Sequence, residues 1–173
     1  MWNKFGAGTR AAALALGLAL LAGCGVYSFT GATLPAGLNT VAVPLAEDRT
    51  TGGPPDLDRQ LTDALVSRFA DRTRLRLVAD EAAADAIVRA SLDRYGVSPV
   101  AVAGDDLASL NRVALTVTVV FEDQLEGTER LRRTFSATAD YPPAEGLAGE
   151  AAAVQRAIEQ IAADAFTAAT SDW

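Results

Sequence analysis

Apolar and polar residues alternate most regularly along residues 113–122. One set of alternate positions is wholly apolar and the other is mixed: Val113, Leu115, Val117, Val119 and Phe121 against Ala114, Thr116, Thr118, Val120 and Glu122. A period of two in a segment rich in Val and Thr predicts a half-buried strand. A similar alternation along residues 130–137 follows a turn around Gly127, so the two segments predict a hairpin of antiparallel neighbours.

Three shorter segments also have the pattern of strands. They are residues 40–45, 75–78 and 86–93, in which aliphatic side chains occupy alternate positions. Pro44 cannot donate to a sheet ladder, which favours an edge or the end of the first strand. Residues 46–55 and 96–111 are polar and contain glycine, and we expect both stretches to be loops.

Two segments have the apolar spacing of amphipathic helices. The first begins near Asp56 and runs for roughly 16 residues, and the second begins near Glu150 and closes the chain. Their apolar stripes comprise Leu57, Leu61, Ala64, Leu65 and Phe69 in the first, and Val154, Ala157, Ile158, Ile161, Ala165 and Phe166 in the second.

Helices with a single apolar face are best buried together on one side of a sheet. We therefore predict an α+β fold, a two-layer sandwich with two amphipathic helices packed on one face of a four- to five-stranded mixed sheet. Residues 40–173 would form this single domain. The strand before the first helix and the strand after it are expected to run parallel.

The first 24 residues have a different pattern. Lys4 and Arg10 precede the apolar residues 11–22, and small residues precede Cys24. This order predicts a cleaved signal peptide over residues 1–23, because the apolar run is shorter than the roughly 20 residues that span a bilayer. Residues 24–39, rich in Gly, Thr and Pro, would form an extended connector.

The sequence around Cys24 resembles the lipobox of bacterial lipoproteins, with Leu21, Ala22 and Gly23 before the cysteine. The resemblance implies that Cys24 becomes the acylated first residue of the mature protein. Several acyl chains give the stable membrane attachment that one chain does not. Gly25, in place of aspartate, then implies the outer membrane. The alternative is an ordinary signal peptide cleaved near Gly23, which would leave a free thiol.

The charge balance narrows the classes of partner. Of 15 basic residues, Lys4 and Arg10 lie in the predicted signal peptide, so the mature chain has 13 against 22 acidic residues, a formal charge of −9. This disfavours nonspecific binding to nucleic acid or to anionic membranes, which depends on neutralising phosphates. It does not exclude a local basic patch, and we expect no nucleic-acid partner.

The side chains that most enzymes need are absent. There is no histidine, Cys24 is the only cysteine, and Lys4 is the only lysine. Adjacent acids at Glu47 and Asp48, and at Asp105 and Asp106, could in principle act as acid–base pairs or cation ligands, but such pairs in polar loops are usually solvated surface. We predict a protein that is not an enzyme and has no metal site and no cofactor.

Arg130, Arg132 and Arg133 form the densest basic cluster. Strand alternation would put Arg130 and Arg132 on one face, where both could contact anionic groups such as lipid phosphates. The cluster could equally protect an exposed sheet face or edge from association. The sequence leaves both interpretations open.

The stretch CGVYSFTGATLPAGLNTVAVPLAEDRT, residues 24–50, resembles the start of the LptE-type lipopolysaccharide-assembly lipoproteins. Later segments fit as well, including RVALTVTVVFED and the closing helix. The resemblance implies a lipid-anchored subunit on the periplasmic side of the outer membrane. It would act as plug and folding scaffold for the translocon β-barrel, with lipopolysaccharide as a candidate ligand.

Under this resemblance, residues 46–55 and 96–111 are the candidate contacts with the barrel. The residues VAVPLAEDRT also resemble other envelope lipoproteins of similar fold. A curli-type secretion component or an activator of a peptidoglycan synthase is therefore the alternative function.

Overall fold

A computed structural model describes residues 34–35, 37–101 and 109–171. The described elements belong to one compact unit. The predicted signal peptide, the lipobox with Cys24, most of the predicted connector and the pair Asp105 and Asp106 lie outside the described residues.

The described residues of this unit form six strands and two α-helices. In chain order they are β1 (Thr40–Ala42), β2 (Glu47–Asp48), α1 (Leu57–Phe69), β3 (Arg76–Leu77), β4 (Ala86–Ala101), β5 (Ser109–Asp123), β6 (Thr128–Tyr141) and α2 (Gly146–Ser171). Short 3₁₀ turns at Glu81–Ala83 and Pro143–Glu145 precede β4 and α2.

The sheet is mixed and has the strand order β3-β1-β4-β5-β6, with β2 also paired to β4. β1 runs parallel to β3 and β4, whereas β4, β5 and β6 are antiparallel neighbours. The predicted hairpin and the predicted parallel pair around the first helix are therefore present. β1 ends at Ala42, two residues before Pro44, as the missing N–H of proline requires.

Both helices pack on the same side of the sheet. The alternate residues of β5 from Val113 to Phe121 are fully buried there, against the apolar stripes of α1 and α2. Phe69 of α1 stacks on Phe121 with ring centroids 6.0 Å apart and meets Phe166 of α2 edge-on at 5.3 Å. The predicted α+β two-layer sandwich is confirmed.

The first turn of α2 is fixed to the sheet by a carboxylate. Glu150 accepts hydrogen bonds from the hydroxyl of Tyr95 in β4 and, at 3.3 Å, from that of Tyr141 in β6. Burial, together with the hydrogen bond to Glu150, raises the pKa of Tyr95. Gly149 is buried at this contact.

Several boundaries differ from the predictions. β4 and β5 continue through much of the predicted loop 96–111. Their backbones pair from Gly96 opposite Ala114 to Ala101 opposite Ser109, and this pairing does not depend on the polarity of the side chains. α1 has 13 residues, and α2 starts at Gly146 instead of near Glu150. The predicted loop 46–55 contains β2, and Leu38, predicted in the connector, is buried in the core.

β6 lies at one edge of the sheet and β3 at the other. Arg133 of β6 lies opposite the fully buried Val119, so its position faces the helix side, although Arg133 itself is exposed. None of the helices in the described part of the chain combines the length and hydropathy that crossing a bilayer requires.

Candidate functional site

The side of the sheet opposite the helices carries mainly polar residues, and we call the part formed by β4, β5 and β6 the open face. Its residues occupy the positions that alternate with the core residues of these three strands. They are Arg89, Ser91, Arg94, Arg112, Thr116, Thr118, Arg132, Thr134, Ser136, Thr138 and Asp140.

Hydroxyl groups link the middle of the open face. Thr118 donates to Asp93 at 2.6 Å and lies 3.0 Å from the hydroxyl of Thr134, while Thr116 and Ser136 are 3.2 Å apart. Because hydroxyls both donate and accept, such a surface can bind polar partners of many kinds without leaving a charge unpaired.

Two arginines of the open face, Arg112 and Arg132, have carboxylate partners. Arg112 makes two hydrogen bonds to Asp140, at 2.6 and 2.7 Å, and these lower the pKa of that carboxyl. Arg132 binds Glu129 at 2.5 Å. These two pairs are polar but close to neutral.

A cleft of about 220 Å³ lies where β2 meets the open face. Its lining combines three guanidinium groups and two carboxylates over a floor of small side chains: Glu47, Arg49, Arg89, Ala90, Ser91, Thr118, Val120, Glu122 and Arg132. The hydrogen bond from Arg49 to Glu47, at 2.6 Å, lowers the pKa of Glu47.

Arg89 is the least satisfied group of this cleft. It pairs with Glu81 at 2.7 Å through Nη2, but its Nη1 is buried and has no hydrogen-bond partner among the described residues. Buried donors are nearly always paired in folded proteins. Nη1 of Arg89 is therefore a buried charged donor beside the cleft, unpaired within the described part of the chain.

The structure separates the two arginines that the sequence grouped. A register shift between Phe121 and Glu122 interrupts the alternation on which a shared face depended. Arg130, largely buried, binds Asp123 at 3.0 Å and Glu126 at 2.6 Å beside the β5–β6 turn. Arg132 lies on the open face, so contact with an anionic lipid stays a prediction for it.

The other predicted site residues are only partly described. Glu47 and Asp48 form β2, whereas Cys24 and the lipobox lie outside the described residues. In the described ranges, no three His, Cys, Asp or Glu side chains come together as a metal site requires. Sequence reasoning missed Arg89, whose signal was a single arginine in the short alternating strand 86–93.

The sequence model of the LptE family, described as lipopolysaccharide-assembly, matches residues 38–169. The chain belongs to the LptE family. The predicted resemblance is confirmed, and membership connects the chain to lipopolysaccharide assembly. No curated protein matches it.

Solved structures share the LptE-family fold at low identity. A hypothetical protein from Chlamydia trachomatis is 13% identical, with a TM-score of 0.54 over 78% of this chain and 99% of that one. A protein from Xanthomonas campestris is 16% identical, with a TM-score of 0.55 over 76% and 84%. A candidate lipoprotein from Caulobacter crescentus is 14% identical, with a TM-score of 0.50 over 72% and 88%.

Proposed function

We propose that this chain is an outer-membrane lipoprotein subunit of the lipopolysaccharide assembly machinery. Residues 1–23 are a cleaved signal peptide, Cys24 carries the acyl chains, and the domain lies on the periplasmic side. There it acts as plug and folding scaffold for the translocon β-barrel. The observation that carries the proposal is the family match over residues 38–169.

The open face supports a role inside a barrel. The lumen of a large membrane barrel is lined with polar side chains, and the open face presents hydroxyls and neutralised charges to such a surface. Strands β4, β5 and β6 are 16, 15 and 14 residues long, so the face is extended. Both helices pack on the other side of the sheet and leave it accessible.

The cleft around Arg89 is the proposed contact for an anionic group of lipopolysaccharide. Guanidinium groups bind phosphate in a bidentate manner, and Nη1 of Arg89 has no partner among the described residues. Arg132 lines the same cleft and joins this role. Arg130 instead holds the β5–β6 turn through Asp123.

Depletion of the protein tests the assembly role. We expect surface lipopolysaccharide to fall and the translocon barrel to accumulate unfolded, with both restored by the wild-type gene. Normal lipopolysaccharide and a normally folded barrel after depletion would refute the proposal.

Site-specific photocrosslinking tests which surface meets the barrel. A crosslinker at Thr134 on the open face, at Thr51 in the loop 46–55 or at Ser98 of β4 should capture the barrel. One at the exposed Gln155 of α2 is the matched control. Capture from Gln155 alone would contradict docking through the open face.

A further inference from the structure

Three arginines close together in the sequence make no ion pair with the described residues, and neither do Arg94, Arg133 and Arg156 elsewhere in the chain. Six arginines make ion pairs: Arg49, Arg59, Arg89, Arg112, Arg130 and Arg132. Arg72, Arg74 and Arg76, between the end of α1 and β3, are exposed and pair with no carboxylate of the described residues. Arg68, one turn earlier in α1, makes no ion pair with these residues either.

These arginines lie where the chain enters the domain. Arg76 is the register partner of Thr40, and its N–H donates to the carbonyl of Asn39 at 2.8 Å. Gly37 lies against Leu125 in the β5–β6 turn. We call this end of the sheet, made of residues 37–40, 70–77 and 124–127, the proximal end.

Two large apolar side chains are exposed at the proximal end. Leu125 is 61% exposed in the β5–β6 turn, and Leu77 of β3 is 46% exposed. Exposed apolar side chains beside basic ones are typical of surfaces that lie at a membrane interface, because the apolar groups enter the headgroup region while the cations bind phosphates.

Most carboxylates near the proximal end are engaged by other groups. The hydrogen bond from Asn39, with a smaller contribution from the charge of Arg76, lowers the pKa of Asp85, and Arg72 shares a cleft with Asp63 and Glu159. Asp123 and Glu126 are engaged by Arg130. Asp85 accepts the N–H groups of Asn39 and Thr40, and Asp80 accepts the N–H of Ala82. Asp71 is the remaining acid in the segment from Arg68 to Arg76.

The chain outside the described residues indicates that the partner of the proximal end is the membrane, provided that the proposed function holds and Cys24 is acylated. Thirteen steps along the chain lead from Cys24 to Gly37, where the proximal end begins, and an extended chain spans at most about 3.6 Å per residue. The tether therefore keeps this start of the proximal end within roughly 47 Å of the bilayer surface.

We propose that the proximal end is a second membrane contact. Arg72, Arg74 and Arg76 bind phosphate groups of anionic phospholipids, while Leu77 and Leu125 contact the headgroup layer. The contact orients the domain on the surface to which the acyl chains attach it.

The test uses the acylated protein, reconstituted in vesicles of phosphatidylcholine with or without about a third of phosphatidylglycerol. Acylation blocks the thiol of Cys24, so a cysteine introduced as Gln124→Cys, beside Leu125, or as Ser98→Cys in β4 takes a fluorophore alone. A quencher carried by the lipids reports contact. We expect strong quenching at position 124 in the anionic vesicles, less in neutral vesicles or high salt, and little at position 98.

The charge variant is Arg72→Gln with Arg74→Gln. Each basic residue near an anionic surface contributes about a fivefold preference, so the ratio of docked to undocked domains should fall roughly 25-fold. Arg59→Gln with Arg156→Gln removes the same charge from the helices and should leave quenching unchanged. Equal quenching at positions 98 and 124, or quenching indifferent to Arg72 and Arg74, would overturn the contact.

Two further results would distinguish a failure of the proposed function from a failure of the membrane contact. Intact mass before reconstitution reports acylation, so an unmodified chain would refute the lipoprotein function and not the arginine contact. Quenching at position 124 that occurs in native membranes but not in protein-free anionic vesicles would mean that the arginines bind an acidic protein, and the membrane contact would be wrong.

Discussion

Asp85 joins the starts of β1 and β4. Its carboxylate accepts the N–H groups of Asn39 and Thr40 at 2.9 and 3.0 Å, and its own N–H donates to the Thr40 hydroxyl at 2.8 Å. The hydrogen bond from Asn39 is the largest cause of the lowered pKa of Asp85. The residue thereby fixes the point where the chain enters the domain.

Asp85→Asn should lower the thermal midpoint at pH 7. A depressed folded-state pKa means that the stabilisation is present above the unfolded-state pKa of about 3.9 and is lost as the pH falls through the folded-state value. The difference from wild type should therefore be smaller at pH 2 than at pH 7. Thermal unfolding at both pH values measures this difference. Asp63→Asn is the control, because the side chain of Asp63 makes no hydrogen bond or ion pair with the described residues. An unchanged midpoint at pH 7 would contradict this role.

Arg130 and Arg132 should differ in their effect on stability. Arg130→Gln leaves Asp123, which is 2% exposed, without its ion pair, so we expect a loss of about 1–3 kcal/mol in the free energy of unfolding. Arg132→Gln removes an exposed pair and should change it by less than about 0.5 kcal/mol. Urea unfolding of both variants measures the difference, and equal effects would count against the structural role of Arg130.

At the scale of elements, α2 depends on a close approach that only glycine allows. A Cβ at Gly149 would lie 2.5 Å from the Cβ of Glu145 and 2.9 Å from a ring carbon of Tyr141. The hydrogen bonds of Glu150 to Tyr95 and Tyr141 hold this turn in place.

Gly149→Ala should therefore destabilise the protein, although alanine is the better helix former by about 0.5–1 kcal/mol. Thermal and urea unfolding measure the sign. Gly146→Ala is the control. Gly146 is exposed, has a φ of 53° and has open space around its Cβ position, so its substitution measures backbone strain without steric contact. A more stable Gly149→Ala variant would show that the helix moves freely at this point.

Elements with strong alternation were predictable from the sequence, and their ends were not. Val113 to Phe121 identified β5 because each apolar side chain has a place in the core. Gly96 indicated a loop, yet it lies in β4, since pairing to Ala114 continues the ladder. Local composition does not report how far a partner strand extends.

The candidate site was less predictable than the fold. The cleft brings together β2, β4, β5 and β6, so Arg49, Arg89 and Arg132 meet only in the folded chain. The register shift beside Arg130 likewise has no sequence signal. The functional prediction came from the family resemblance. The residues by themselves showed only that the sequence has no histidine and no second cysteine.

At the scale of the whole molecule, the proposed tether is what confines the protein to the envelope. Cys24→Ser removes the acylation site, and we expect the variant to move from the membrane fraction to the soluble periplasmic fraction. Fractionation with immunodetection measures it. Ser28→Cys is a control that adds a thiol outside the lipobox. A Cys24→Ser protein that stays with the membranes would argue against acylation as the anchor.

The open edge at β6 affects how copies of the protein associate when they are crowded on one membrane. Proteins confined to one surface collide often, and an unpaired strand can recruit another copy into a continuous sheet. Arg133 opposes this, because a strand added there would strip water from its guanidinium group next to the core. Arg133 therefore disfavours a continuous sheet between neighbouring copies of the domain.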